Sequence, residues 1–344
     1  MADDVNRQIL LASRPDGVPT AANFRLVETP VPVPGDGEAV YQTIYMSLDP
    51  YMRGRMNDGE SYAEPVAIDG VMGGGSVGRL VKSNDPGLAE GDYVLGYGGW
   101  QEFAMMKGKH LKKLDPAAAP ISTALSVLGM PGMTAYTGLL RIGEPKEGET
   151  VVVAAASGPV GGTVGQIAKL KGCRVIGIAG TDEKCDYVKN ELGFDDCLNH
   201  RRDDLSEALA AACPDGIDVY YENVGGKVFD AVYPLLNYFA RIPVCGVITR
   251  YNVAETAPGP DRLPGYIADS LTKRFRTQGF IVTDFEDMRP DFERDMSQWV
   301  RDGKVRYKED IVEGIENVPA TMIGLLEGKN FGKQLVQAAE DPTR

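Results

Sequence analysis

Two stretches of this chain hold residue types at spacings that could do chemistry. The first is VVVAAASGPVGGTVGQIAKLKG, Val151 to Gly172: an apolar run, a glycine-rich turn, then an amphipathic segment. Gly158 and Gly161 would let the backbone approach a pyrophosphate, whose charge would rest on amides at a helix N-terminus. The Gly-x-Gly-x-x-Gly fingerprint lacks its first glycine, replaced by Ala156. That replacement is acceptable where the turn needs no positive φ. Gly165, a helical turn further on, would allow close helix–strand packing. A glycine-rich turn without a ligand has the same outline, but the strand–helix units that follow favour a dinucleotide.

The second stretch is CRVIGIAG, which ends at Gly180 and is followed by Thr181, Asp182, Glu183 and Lys184. An NAD site places a carboxylate at the tip of this strand to receive the ribose 2′-hydroxyl. A small residue there leaves room for a 2′-phosphate, and Lys184 supplies a cation nearby, so NADP is favoured over NAD. Asp182 and Glu183 equally suit the first turn of a helix. A solvated surface lysine is the alternative for Lys184.

These residues need elements to position them. The first third is rich in short apolar runs punctuated by glycine and proline, which predicts a β-rich, barrel-like domain. Helical signals run over Ile121 to Gly143. From Thr150, apolar runs alternate with helical segments, which predicts a doubly wound parallel sheet of about six strands. The final segment reads as strand, helix and strand returning to the first domain. The expected organisation is α/β, with domains 1–128, 129–300 and 301–344.

The 344 residues carry a net charge of −13 without a Lys/Arg-rich block, which argues against nucleic-acid binding. The acidic N-terminus lacks the apolar core of a signal peptide, and no run is long enough to suggest a spanning helix. Five dispersed cysteines without a Cys-x-x-Cys pair fit a reduced, cytoplasmic protein. Only two histidines, His110 and His200, are present, and no metal site is expected.

The stretches MSLDPYMRGRM, PGMTAYTGLL, AAASGPVGGTVGQIAKLKGCRVIGIAGTDEK, YENVGG, TRYN and GKNFGKQLV resemble the zinc-independent medium-chain dehydrogenases/reductases. Within them the resemblance is to the leukotriene B4 dehydrogenase/prostaglandin reductase-like alkenal and enone reductases, including bacterial curcumin reductase-like members. With NRQILLASRPDG it spans residues 6 to 336. It implies a GroES-like catalytic domain joined to a Rossmann domain, NADPH as cofactor, a small unsaturated carbonyl substrate and a homodimer.

The resemblance also implies roles. Pro131 and Thr134 lie toward the nicotinamide end, Lys184 takes the 2′-phosphate, and Asn223 and Asn330 bind the cofactor. Ser157, Gly158, Val160, Gly161, Gly180, Thr181 and Phe280 complete the cofactor set. Tyr251 stands beside the nicotinamide ribose, Tyr51 faces the substrate, and Tyr62 is a further candidate at that pocket. Tyr51 also reads as a core tyrosine with a tied hydroxyl. His200 replaces a tyrosine that helps hold the adenosine phosphate, a task left to His200 or Arg201. Ser47 and Gly73 stand where zinc-dependent relatives carry metal ligands.

The expected reaction is hydride addition to the β-carbon of an enone. The enolate oxygen takes a hydrogen bond from Tyr251, and a proton then reaches the α-carbon. A quinone reductase, or a cofactor-binding protein with little catalysis, are the competing readings.

Overall fold

Residues 5–126 alternate short strands with glycine and proline turns: β1 (Val5–Leu11), β2 (Phe24–Pro30), β3 (Glu38–Ser47), β4 (Ser76–Ser83), β5 (Tyr93–Gly96), β6 (Phe103–Lys107) and β7 (Lys112–Leu114). Residues 127–308 carry α1 (Met130–Thr137), β8 (Thr150–Ala154), α2 (Pro159–Leu170), β9 (Arg174–Ala179), α3 (Asp182–Asn190), β10 (Asp196–Asn199), α4 (Leu205–Ala212), β11 (Ile217–Tyr221), α5 (Gly226–Val232), β12 (Leu236–Val244), α6 (Ile248–Tyr251), α7 (Leu263–Lys273), β13 (Arg276–Gly279) and α8 (Arg289–Arg301). The chain closes with β14 (Glu309–Glu313), α9 (Val318–Leu326) and β15 (Lys333–Gln337). This is a computed structural model, and it describes residues 5–59, 61–253 and 261–344. It divides into two units: residues 1–126 with 309–344, and residues 127–308.

In the first unit, β3 pairs antiparallel with β4, β6 and β15, the centre of a seven-stranded sheet ordered β14-β15-β3-β4-β5-β7. A separate β1–β2 pair lies beside it. Met46, Met52, Met56, Met72 and Trp100 are all fully buried in one cluster, so these methionines fill core.

In the second unit every strand pairing is parallel, and the order is β10-β9-β8-β11-β12-β13. Every residue of β8 is buried, because helices cover both faces of the sheet. The order reverses between β8 and β11, which makes the ends of those strands the ligand crevice of such a sheet. The predicted helical stretch Ile121–Gly143 is interrupted. A 3₁₀ turn (Ile121–Leu125) precedes α1, which restarts at Gly129 with Pro131 in its first turn and widens to a π-type turn over Gly138–Gly143. Among the described residues, no helix is long and apolar enough to cross a membrane.

Candidate active site

The strand β8 ends at Ala154 and the chain turns at once. Ala155 adopts φ +53°, and its carbonyl accepts the Gly158 amide at 3.0 Å. Ala156, in the turn, is buried, with its amide donating to the Ile178 carbonyl on β9. The positive φ therefore falls one residue before the missing glycine. Gly158 precedes α2 in extended conformation, and Pro159 opens the helix at no cost in hydrogen bonds. A Cβ on Gly161 would come within 2.4 Å of the Ala155 carbonyl oxygen, so glycine is what lets the turn close onto the helix. No side chain caps α2, and among the described residues the Val160 and Gly161 amides have no backbone acceptor. With half-buried Ser157 beside them, these amides form a cradle that fits a pyrophosphate. Gly165 has a different task from the helix–strand packing expected of it. A Cβ there would lie 1.8 Å from the ring of Phe194, in the α3–β10 connection.

At the tip of β9, Thr181 caps α3: its hydroxyl accepts the Lys184 amide at 3.2 Å. Lys184 is half-buried. A Cβ on Gly180 would stand 3.5 Å from His200 Nε2, so the imidazole lies over the strand tip. Burial, then the neighbouring Arg201, Lys227 and Lys184, push the His200 imidazole below its ordinary pKa. Lys184 on α3, Lys227 on α5 and Arg201 in the turn after β10 thus act together on one imidazole, a field suited to a phosphate dianion. Lys227, on α5, is a functional candidate that sequence reading missed, since no local motif marks it.

At the switch point, buried Glu222 accepts the amides of Val224 at 2.6 Å and Gly225 at 2.9 Å, which shapes the turn after β11. This turn presents Asn223, whose Nδ2 donates to the Ala154 carbonyl at 2.8 Å. Tyr251 closes the short helix α6, and a Cβ on Gly246 would lie 2.9 Å from its hydroxyl and 3.8 Å from the Asn223 carbonyl. Asn223, Gly246 and Tyr251 therefore meet at the ends of β11 and β12. Tyr221, at the end of β11, donates its hydroxyl to the Thr134 carbonyl on α1 at 2.8 Å and packs edge-on against Phe280. The Thr134 hydroxyl donates to Met130 within its own helix, one turn from Pro131.

Tyr51, Tyr62 and Asn330 belong to the first unit. The Arg55 guanidinium lies 5.6 Å from the Tyr51 ring and 5.5 Å from the Tyr62 ring. The Tyr51 hydroxyl meets that of Tyr97 at 3.2 Å. Burial, with Asp49 and Tyr97 adding to it, pushes the Tyr51 phenol well above its ordinary pKa and keeps it a proton-bearing donor. Tyr97 was not anticipated. Tyr62 is 58% exposed, and Asn330 Nδ2 donates to the Gly332 carbonyl at 2.8 Å. Beside Ser47, the buried Asp49 carboxylate accepts the Ser47 hydroxyl and the Lys333 ammonium, the latter at 2.5 Å. An ammonium occupies the carboxylate of this corner, and that donor set does not fit a zinc ion. Among the described residues, no group of three His, Cys, Asp or Glu is placed to hold a metal.

A doubly wound sheet with a glycine-cradled first helix, on a chain that also builds a β-rich unit, is the architecture of a dinucleotide-dependent oxidoreductase. Residues 7–114 match the N-terminal domain of oxidoreductase, and residues 159–300 match the zinc-binding dehydrogenase domain. The chain is 59% identical to the NADPH-dependent curcumin reductase of Escherichia coli, over 98% of both chains. It is 41% identical to the NADP-dependent 2-alkenal reductase of Nicotiana tabacum, over 99% of this chain and all of that one. The solved structure of CurA in complex with NADPH from Vibrio vulnificus matches with a TM-score of 0.95 at 55% identity, covering 97% of this chain and 100% of that one. The chain belongs to the medium-chain dehydrogenase/reductase family, in the branch of the curcumin, alkenal and prostaglandin reductases.

Proposed function

We propose that this protein is an NADPH-dependent reductase of the carbon–carbon double bond of α,β-unsaturated ketones and aldehydes. The observation that carries the reading is the 59% identity, end to end, with a curcumin reductase. When bound, NADPH supplies the hydride that reaches the β-carbon of the substrate. The Val160 and Gly161 amides, with Ser157 and Gly158, hold the pyrophosphate. Lys184, His200 and Arg201, at the Gly180–Thr181 strand tip, hold the 2′-phosphate. Pro131, Thr134 and Phe280 form the wall for the nicotinamide, with Asn223, Tyr251 and Asn330 as further cofactor contacts.

Tyr251 donates its hydroxyl hydrogen to the carbonyl oxygen as negative charge collects there, a contribution on the order of 3–4 kcal/mol for one well-placed donor. Tyr51 lines the substrate side, held by Tyr97 and Arg55, and Tyr62 packs against the same arginine. The α-carbon proton comes from solvent or a tyrosine relay. The protein works as a homodimer joined along the β13 edge of its parallel sheet. It acts in the cytoplasm, a placement supported by five thiols that are all free.

Curcumin and a medium-chain 2-alkenal, each with NADPH or NADH, test the reading. Loss of enone absorbance with NADPH is expected, and turnover of quinones alone would overturn it. Lys184→Ala should weaken NADPH by at least roughly tenfold, the scale of one lost charge-assisted contact, and leave NADH nearly unchanged.

A further inference from the structure

Cys185, on the inward face of α3, and Cys197, on β10, are both buried and free. Their side chains are in hydrogen-bond contact with each other. Both line a groove of ≈ 560 Å³ that opens at the edge of the sheet among Asp182, Lys189, Asn199, Arg201 and Arg202. The groove gives a small solute a path to sulfurs that are otherwise covered. Cys185 follows Lys184 directly, and Cys197 stands three residues before His200. The thiol pair therefore joins the two segments that carry the cations and imidazole of the strand-tip cluster.

We propose that Cys185 and Cys197 are a redox-active dithiol, which a hydroperoxide entering this groove oxidises to an intramolecular disulfide that loosens NADPH. The Cys185 thiolate attacks the O–O bond of the peroxide, which becomes Cys185 sulfenic acid and one molecule of water or alcohol. Cys197 then attacks the sulfenic sulfur: the S–S bond forms, the S–OH bond breaks, and water leaves. Two electrons pass from the two thiols to the peroxide, and the balance closes. The Cys197 thiol stabilises the Cys185 thiolate as a donor and lowers its pKa, whereas burial raises the Cys213 thiol to about 11 and the Cys245 thiol to about 12. The Cys185–Cys197 pair is thus set apart from those thiols. Closing a non-bonded contact to a bond of about 2.05 Å pulls α3, with Lys184 and its Thr181 cap, toward β10. The effect on cofactor rests on the NADPH reading above; the formation of the disulfide does not.

The test treats the full chain with hydrogen peroxide, alkylates remaining thiols and maps peptides by mass. A Cys185–Cys197 cross-link, two hydrogens lighter and reversed by dithiothreitol, is expected. Cys185→Ser and Cys197→Ser should each abolish it; both are used so that one poorly folding variant leaves the other. Sulfinic acid at Cys185 without a cross-link, a bond to another cysteine, or no reaction would overturn the dithiol. The NADPH dissociation constant of the oxidised protein should rise roughly tenfold and recover on reduction, as one phosphate contact weakens. An unchanged constant would overturn the loosening. Lys184→Ala run alongside separates the two readings, because equal loss of NADPH and NADH there sinks the 2′-phosphate assignment while the cross-link result stands.

Discussion

Ala155 holds a left-handed backbone, φ +53°, at the head of the glycine turn between β8 and α2. A non-glycine residue in that conformation costs about 1–2 kcal/mol. The strain turns the Ala155 carbonyl onto the Gly158 amide and toward Gly161. Ala155→Gly should relieve it, less the extra entropy that glycine loses on folding, for a net gain of about 0.5 kcal/mol in urea denaturation. NADPH affinity should be kept. Gly161→Ala should do the reverse: its Cβ meets backbone that cannot yield, so NADPH binding falls at least tenfold while most of the stability remains. If both variants bind NADPH like the parent, the cradle is not the phosphate site. At this scale the sequence shows the glycines and the departure from the fingerprint, and Ala156 needs no positive φ; the left-handed residue is its neighbour Ala155, which no motif marks. Residue types are legible in a motif; which residue turns left is decided by hydrogen bonds such as Ala156 to Ile178, across the sheet. The same holds for Tyr97 and Lys227, whose partners no local spacing announces.

Elements were legible where their periodicity was strong and blurred where tertiary contacts cut them. The runs TVVVA and IDVYY became β8 and β11, and the closing strand–helix–strand became β14, α9 and β15. In the run TQGFIV the strand β13 ends at Gly279, because Phe280 turns inward against Tyr221 and the chain leaves the sheet. One positioning device lay beyond sequence reach altogether: Lys333 on β15 and Asp49, 284 residues apart, form a buried ion pair. Lys333 also donates to the Leu48 carbonyl at 2.9 Å. Together these bonds fasten β15 to the start of the 3₁₀ segment Pro50–Met56 that carries Tyr51. Removing one partner leaves an uncompensated buried charge, so Lys333→Met and Asp49→Leu should each destabilise by about 3–5 kcal/mol. The double variant should recover much of that loss, since apolar residues can replace a buried pair at little cost. A double-mutant cycle in urea checks this, and additive losses would show that the two residues act independently.

For the molecule as a whole, the remaining question is how it associates. The parallel sheet of the second unit ends in β13, whose residues are all exposed. Beside it, Leu263, Ile267 and Leu271 of α7 are 64%, 58% and 80% exposed. Their spacing of four residues puts them on one helix face. Tyr238 and Phe239 on β12 are exposed too, with Arg274 stacked on both rings. This helix is not loosely held. Tyr266 packs on Phe275 at 5.1 Å and shares a hydrogen bond with Thr277 on β13, so the apolar face is presented on a fixed support. A net charge of −13 per chain opposes association in general, so the apolar face has to drive it. An open strand edge flanked by rigid apolar surface is a self-pairing surface unless covered. Two copies related by a twofold axis would meet edge to edge and bury the same patch on both sides. The expected solution mass is therefore twice the 37.1 kDa of one chain. Leu271→Asp combined with Ile267→Asp should bring it to the single-chain value by light scattering, with the far-UV spectrum unchanged. A parent protein that already elutes at the mass of one chain would remove the dimer, and a double variant that stays paired would place the interface elsewhere.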